Sequence, residues 1–225
     1  TFEDKVVQWA VVIMMEPLLD PGFLSLSTGF RPEMGTLTAC RRIRKVLLDY
    51  GDVWILDADI RGFFDSLDHT MLLGMLKKWG FPKTLRRLIY RFLKAGFNEH
   101  GNQMHTTKGT PQGGVISPLL SNLFLHEALD LWFMSTVKPS LTGRAELIRY
   151  ADDFIILADN ENDIRRIHAL VAERLKQFKL ELHDGKTRLL HHPDSRSIIT
   201  EPQQDDQHTN QLNFLGFRFA LHPPG

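Results

Sequence analysis

Two adjacent carboxylates, Asp152 and Asp153, sit between two apolar runs, Leu147-Ile148-Arg149-Tyr150-Ala151 before them and Phe154-Ile155-Ile156-Leu157 after. Runs rich in β-branched residues on either side of a short polar break read as strand, tight turn, strand, with both acids at the tip. Like charges held side by side in a partly buried place are costly unless a cation neutralises them. A chain with this hairpin must therefore build a sheet, and the pair points to a bound metal.

A second landmark lies upstream. Val53-Trp54-Ile55-Leu56 reads as a short buried strand running into Asp57-Ala58-Asp59, followed by Ile60-Arg61-Gly62-Phe63-Phe64-Asp65. Alternation along the strand puts Asp57 and Asp59 on one face, with Asp65 beyond the turn. Alone, Asp59 reads as a capping or turn residue. Together with Asp152 and Asp153 it completes the ligand set of a two-magnesium site. Hard oxygen ligands suit magnesium, and two ions about 4 Å apart can activate a hydroxyl and stabilise a leaving phosphate.

Composition narrows the class. The 225 residues are 43% apolar and 24% charged, the profile of a globular protein with a substantial core. The single cysteine, Cys40, excludes an internal disulfide and fits a reducing compartment. The longest apolar stretch, Trp9 to Met15, is too short to span a bilayer, and Thr1-Phe2-Glu3-Asp4 lacks the features of a signal peptide. These readings predict a soluble, cytoplasmic protein with no membrane partner. Formal charge is zero, from 27 basic and 27 acidic residues, which counts mildly against a nucleic-acid binder. The distribution says more: Lys77, Lys78, Lys83, Arg86, Arg87, Arg91 and Lys94 follow one another with no acid among them. Lys83, Arg87, Arg91 and Lys94 fall at helical spacing and share one face, either a solvated surface or a phosphate-binding one.

Periodicity and breakers predict helices over 2–19, 33–50, 69–79, 83–95, 117–134 and 161–178, with strands near 53–56, on both sides of Asp152, and near 187–192 and 212–220. Ser117-Pro118 is a good helix start. Pro193 to Gln211 is polar and reads as a flexible excursion. Strands interleaved with helices and a terminal strand group predict an α+β fold, an antiparallel sheet with helices on one face.

The blocks in order carry a resemblance. Ser27-Thr28-Gly29-Phe30-Arg31-Pro32, Asp59-Ile60-Arg61-Gly62-Phe63-Phe64-Asp65, Gly109-Thr110-Pro111-Gln112-Gly113-Gly114-Val115-Ile116-Ser117-Pro118, Tyr150-Ala151-Asp152-Asp153, Asp184-Gly185-Lys186-Thr187 and Phe214-Leu215-Gly216-Phe217 run across nearly the whole chain. The chain resembles the reverse transcriptase domain of bacterial group II intron-encoded proteins. The resemblance implies a polymerase palm with partial fingers, the fingers over about 1–52 and 69–115 and the palm over about 53–68 and 116–225. It also implies that the family's N-terminal fingers blocks and its thumb, or maturase domain, lie outside these residues. Asp184-Gly185 departs from the family pattern, where two glutamates are common.

By the same resemblance, Asp59, Ile60, Asp152 and Asp153 would hold two Mg2+ ions, with Mn2+ a substitute, for attack of a DNA primer 3′-hydroxyl on a dNTP opposite an RNA template. The backbone of Ile60, Arg61, Gly62 and Phe63 would offer amide donors to the triphosphate. Phe64, which composition alone would read as a core ring, stands where the family places a gate against the ribose 2′-hydroxyl. Gln112 would line the nucleotide pocket. Arg31, Tyr150, Phe214, Leu215 and Gly216 would contact primer or template, and Lys186 is the candidate general acid for the leaving pyrophosphate. Intron RNA is a further expected partner. The alternatives are a maturase-like RNA-binding scaffold without polymerase chemistry and a CRISPR- or defence-associated relative. A two-metal nuclease or cyclase shares the acids but not the glutamine-glycine block.

Overall fold

The computed structural model describes residues 2–94, 98–99, 102–103, 108–110, 114–194, 198–202 and 211–221. Helix α1 (Phe2–Leu19) leads through a bend at Asp20–Gly22 to α2 (Thr36–Tyr50), strand β1 (Val53–Ala58), the single turn α3 (Phe63–Ser66), α4 (His69–Lys78) and α5 (Lys83–Lys94). A small hairpin, β2 (Asn98–Glu99) and β3 (Asn102–Gln103), precedes α6 (Ser117–Leu125). Then come β4 (Ala145–Tyr150), β5 (Asp153–Ala158), α7 (Glu161–Gln177), β6 (Arg188–His192), β7 (Ile198–Pro202), β8 (Leu212–Phe214) and β9 (Phe217–Leu221). The mixture of helices and antiparallel sheet is the predicted α+β class.

The central sheet runs β4-β5-β1-β6 with every pairing antiparallel. Its register sorts the continuous apolar runs onto two faces. Leu56 and Ala58 of β1 and Phe154, Ile156 and Ala158 of β5 face a core shared with α1, α4, α5, α6 and α7. Val53, Ile55, Ile155 and Leu157 face the other way, onto Ala39, Cys40, Ile43 and Leu47 of α2 and onto Leu212, Phe214 and Phe219 of the β7-β9-β8 sheet. Helices therefore do not occupy one face alone, as periodicity suggested. A sheet whose two faces are both apolar has to be covered twice, and α2 with the terminal sheet covers the second side.

Local chemistry accounts for the remaining differences. Helix α2 begins at Thr36 rather than near 33, because Glu33 takes a left-handed φ of 59° and Gly35 is extended. The helical run from Ser117 does not stop near 134 but continues to Ser140, loosening into π-helical turns at His126–Asp130 and Phe133–Val137. Within the polar stretch 193–211, Ile198–Pro202 is a strand paired to β9. Helix α7 starts where Asn160 accepts the amides of Asn162 and Asp163 at 2.8 and 3.3 Å, an N-cap that satisfies two otherwise orphaned donors.

Candidate active site

The Asp152–Asp153 hairpin forms as its sequence predicts. Tyr150 and Asp153 are paired across it, leaving Ala151 and Asp152 as the two-residue turn. Ala151 holds a φ of 56°, a left-handed conformation that costs a residue with a Cβ roughly 1 kcal/mol or more. That strain is met by local hydrogen bonding: the buried Arg149 side chain donates from Nη1 to the Ala151 carbonyl at 2.8 Å.

Asp59 follows β1, which lies beside β5 in the sheet. The chain past it is tied to the segment after α7. The Asp59 carbonyl accepts the His183 amide at 2.8 Å, and the Arg61 amide donates to the Glu181 carbonyl at 2.9 Å. The amides of Lys186 and Thr187 then both donate to the His183 carbonyl at 2.9 Å, a tight turn that swings Lys186 back over the site. Its Nζ lies 2.7 Å from Oδ2 of Asp59. The lysine-bearing block thus meets the first acid through a local antiparallel bridge between residues far apart in sequence.

One cleft of about 370 Å³ gathers Asp57, Asp59, Asp153, Lys186, Arg188, Asn213, Phe214 and Leu215. Asp57 joins Asp59 on this face, as alternation requires, and pairs with Arg188 Nη2 at 2.6 Å. Phe214 and Leu215 arrive on the β8–β9 hairpin, whose turn residues Leu215 and Gly216 have φ of 53° and 79°. Positive φ at both central positions matches the twist of a two-residue hairpin, and a leucine there is strained.

Electrostatics mark the cleft as over-supplied with negative charge. Partial burial, then repulsion from Asp152 and Asp59, raises the Asp153 carboxyl to about 6, although its side chain reaches solvent and Lys186 pulls the other way. Asp152 is raised as well, chiefly by desolvation and next by Asp59. Asp57 is also raised by burial, with Arg188 opposing. Lys186 is raised above the ordinary lysine value by its hydrogen bond to Asp59. Among the described residues, no three acidic, histidine or cysteine side chains converge tightly enough to form a ready metal cage. The available donors are nonetheless carboxylate oxygens that repel one another, the donor chemistry that Mg2+ takes and the imbalance that a cation relieves.

The other predicted residues fall into distinct places. Ile60 is buried, so its side chain packs and only its main chain faces other groups. The Arg61 amide is engaged by the Glu181 carbonyl, unlike the expected triphosphate donors at Ile60, Gly62 and Phe63, for which no such backbone bond is seen among the described residues. Phe63 is buried, and Phe64 is half-buried against it with ring centroids 5.5 Å apart. The Phe64 carbonyl accepts the Thr110 amide at 2.6 Å, which anchors the glutamine-glycine loop at its entrance. Gly109 is required there: its φ is 86°, and a Cβ would lie 2.9 Å from the Phe64 carbonyl oxygen. Gln112 lies outside the described residues. Tyr150 packs against Phe30 at 5.8 Å rather than lining the cleft.

Arg31 lies within its own loop. Its guanidinium donates to the Asp20 carboxylate at 2.6 Å and to the carbonyls of Leu24, Ser27 and Asp20 at 2.8, 2.9 and 3.0 Å, with only 6% of the side chain exposed. These bonds tie the guanidinium to the loop that carries it. Sequence reasoning also missed Arg188 and Asn213 in the cleft, and Arg149, Asp130 and Asn122 beneath the turn. Only the Arg149 charge inside an apolar strand hinted at the last group.

Comparison with known proteins agrees with this geometry. The family model described as "Reverse transcriptase (RNA-dependent DNA polymerase)" matches residues 1–219. The group II intron-encoded protein LtrA of Lactococcus lactis subsp. cremoris is 42% identical over 218 residues, covering 96% of this chain and 34% of LtrA. The Escherichia coli protein YkfC is 30% identical over 84% of this chain and 57% of its own length. The chain thus spans about a third of LtrA and somewhat over half of YkfC. In fold, the chain superposes on apo telomerase from Candida tropicalis with a TM-score of 0.63, at 11% identity, over 95% of this chain and 39% of the telomerase. No helix among the described residues is long and apolar enough to cross a membrane. The chain belongs to the reverse transcriptase (RNA-dependent DNA polymerase) family and is similar along nearly all its length to a group II intron-encoded protein.

Proposed function

We propose that this domain catalyses RNA-directed DNA synthesis, joining a dNTP to a DNA primer 3′-hydroxyl on an RNA template. The observation that carries the reading is the cleft in which Asp57, Asp59 and Asp153 meet Lys186 and the Phe214–Leu215 hairpin. A scaffold with no polymerase chemistry gains nothing from this arrangement, because the acids repel one another and Asp153 is pushed to about 6. Asp59, Asp152 and Asp153, with the Ile60 main chain, are the residues that would hold divalent metal, on which the family generally depends. Bound magnesium supplies Lewis acidity to the attacking hydroxyl and the leaving phosphate.

The chain's own residues supply the rest. The Ile60, Gly62 and Phe63 amides are the remaining triphosphate donors. Phe64, braced by Phe63 and by the Thr110 anchor, bars a 2′-hydroxyl by its bulk. Lys186 stays protonated at neutral pH beside Asp59, so its Nζ carries the proton that the leaving pyrophosphate needs. Phe214, Leu215 and Gly216 support the primer end, and Gln112, outside the described residues, is assigned to the nucleotide by the resemblance alone. In this reading 53–68 and 116–225 make the palm and the remainder the fingers.

Nucleic-acid contact falls to α5. Lys83, Arg87, Arg91 and Lys94 are all exposed along one face, while Leu85, Ile89 and Leu93 are buried on the other. Zero net charge is compatible with RNA binding when the cations are gathered in this way.

The test is primer extension on an RNA template by the intact protein with Mg2+, beside Asp152→Ala. The variant should lose roughly a hundredfold or more in rate, because several kcal/mol of transition-state stabilisation is removed. Extension that survives the substitution refutes the assigned chemistry. Absence of extension by the parent favours the scaffold. In the same assay, Phe64→Ala should admit ribonucleotides; unchanged discrimination dismisses the gate.

A further inference from the structure

Under the Ala151–Asp152 turn lies a set of buried polar side chains to which the catalytic scheme assigns nothing. The Arg149 side chain is 1% exposed and Asp130 is 0% exposed. They form a two-pronged pair, Nε to Oδ1 at 2.8 Å and Nη2 to Oδ2 at 2.6 Å. The third nitrogen, Nη1, donates to the Ala151 carbonyl at 2.8 Å and to Oδ1 of Asn122 at 3.1 Å. Asn122, also buried, donates from Nδ2 to the Gly29 carbonyl at 2.7 Å.

The loop carrying Gly29 is laid along the same strand. The Arg149 amide donates to the Leu26 carbonyl at 3.0 Å, and the Arg149 carbonyl accepts the Thr28 amide at 2.8 Å and the Thr28 hydroxyl at 3.1 Å. Gly29 lies directly against the turn: a Cβ there would sit 2.5 Å from the Ala151 nitrogen and 3.0 Å from the Tyr150 carbonyl carbon. The turn is thus held from below by a guanidinium and from the side by a glycine packed on its backbone.

We propose that Arg149, oriented by Asp130 and joined through Asn122 to the Gly29 loop, is a positioning residue that fixes the strained Ala151–Asp152 turn and so sets where the two carboxylates stand. The catalytic part of this inference rests on the polymerase reading; the structural part does not. An Arg fork is suited to the task because one planar group serves the carboxylate, the turn carbonyl and the amide together, which a lysine cannot do. Loosening it moves Asp152 and Asp153 without removing either, and a shift of about 1 Å at reacting groups can cost on the order of a hundredfold. The scheme also gives Ser27-Thr28-Gly29-Phe30-Arg31-Pro32 a purpose: Thr28 and Gly29 brace the turn, and Arg31 braces their loop.

The test compares Asn122→Ala, Gly29→Ala and Arg149→Lys in the intact protein with Val171→Ala, a core truncation in α7 away from the turn. Two readouts are taken below the melting point of every variant. Hydrogen exchange of the peptide covering 147–154 should quicken in the three network variants and stay at the parental rate in Val171→Ala. Primer extension should slow by roughly ten- to a hundredfold in the same three, with little change in dNTP KM, and remain near parental in Val171→Ala. Parental exchange in all three network variants overturns the clip. Quickened exchange with parental extension overturns its catalytic consequence. A parent that exchanges as expected but does not extend primers refutes the polymerase reading and leaves the clip decided by exchange alone.

Discussion

Asp130 and Asp153 are the same residue type on opposite sides of one turn, held in opposite states. Asp130 is wholly buried, and although burial acts to raise it, the Arg149 guanidinium more than offsets this and keeps its carboxyl below the usual range. Asp153 opens to solvent and yet is raised to about 6, because partial desolvation combines with repulsion from Asp152 and Asp59. Buried charge that is neutralised at once serves architecture. Charge left unbalanced at an accessible cleft is a cost to the fold, the pattern by which perturbed carboxylates mark a candidate site.

The contrast can be broken by exchanging each acid for its amide. Asp130→Asn should destabilise the intact, metal-free protein by about 3–5 kcal/mol in urea unfolding, since Arg149 is left buried without its counter-charge. A loss under about 1 kcal/mol would mean that the pair is not structural. A second expectation concerns the cations of α5. Replacing Arg87 and Arg91 with glutamine should lower the slope of log affinity for an RNA–DNA duplex against log salt by roughly one for each phosphate no longer neutralised, measured by anisotropy. An unchanged slope removes α5 from the interface.

The smaller effects test the cleft. Asp153→Asn should leave metal-free stability unchanged or raise it by no more than about 1 kcal/mol, because solvent screens the exposed carboxylate. A destabilisation like that expected of Asp130→Asn would erase the distinction between the two acids. The pH dependence has a definite sign. A carboxyl raised in the folded state stabilises the fold when protonated, and that contribution is lost as pH climbs from about 4 through about 6. The parent should therefore fall behind Asp153→Asn in Tm between pH 4 and 7, by no more than about 2 °C. A gap that closes rather than opens over that interval contradicts the raised value.

Much of the architecture was legible in the chain because its signals are local. The apolar runs on either side of Asp152 and Asp153 and the Ser117-Pro118 helix start act within a few residues, and those elements formed where they were expected. Asp59 was legible from its place at the end of a strand, Lys186 only as a member of ordered blocks. Nothing local says that Lys186 folds back onto Asp59, which requires the bridge between 59–61 and 181–183. Arg31 was assigned to primer or template through the resemblance alone, and nothing local says that its neighbours at 20, 24 and 27 supply acceptors for its guanidinium. The strand at 198–202 was hidden because its pairing partner, β9, lies across a polar excursion.

By itself the sequence determined the hairpin with two acids at its tip, the acid at the end of β1, the basic face of α5 and the family to which the blocks belong. The first three follow from side-chain type and spacing along a few residues of chain, and the family from blocks in order along nearly all of it. The tertiary structure alone decided which charges are neutralised. Arg149 finds Asp130, Arg188 finds Asp57 and Lys186 finds Asp59, while Asp152 and Asp153 are left in surplus. Coulomb energy and desolvation depend on distance and burial in three dimensions, and neither is written in the order of the residues.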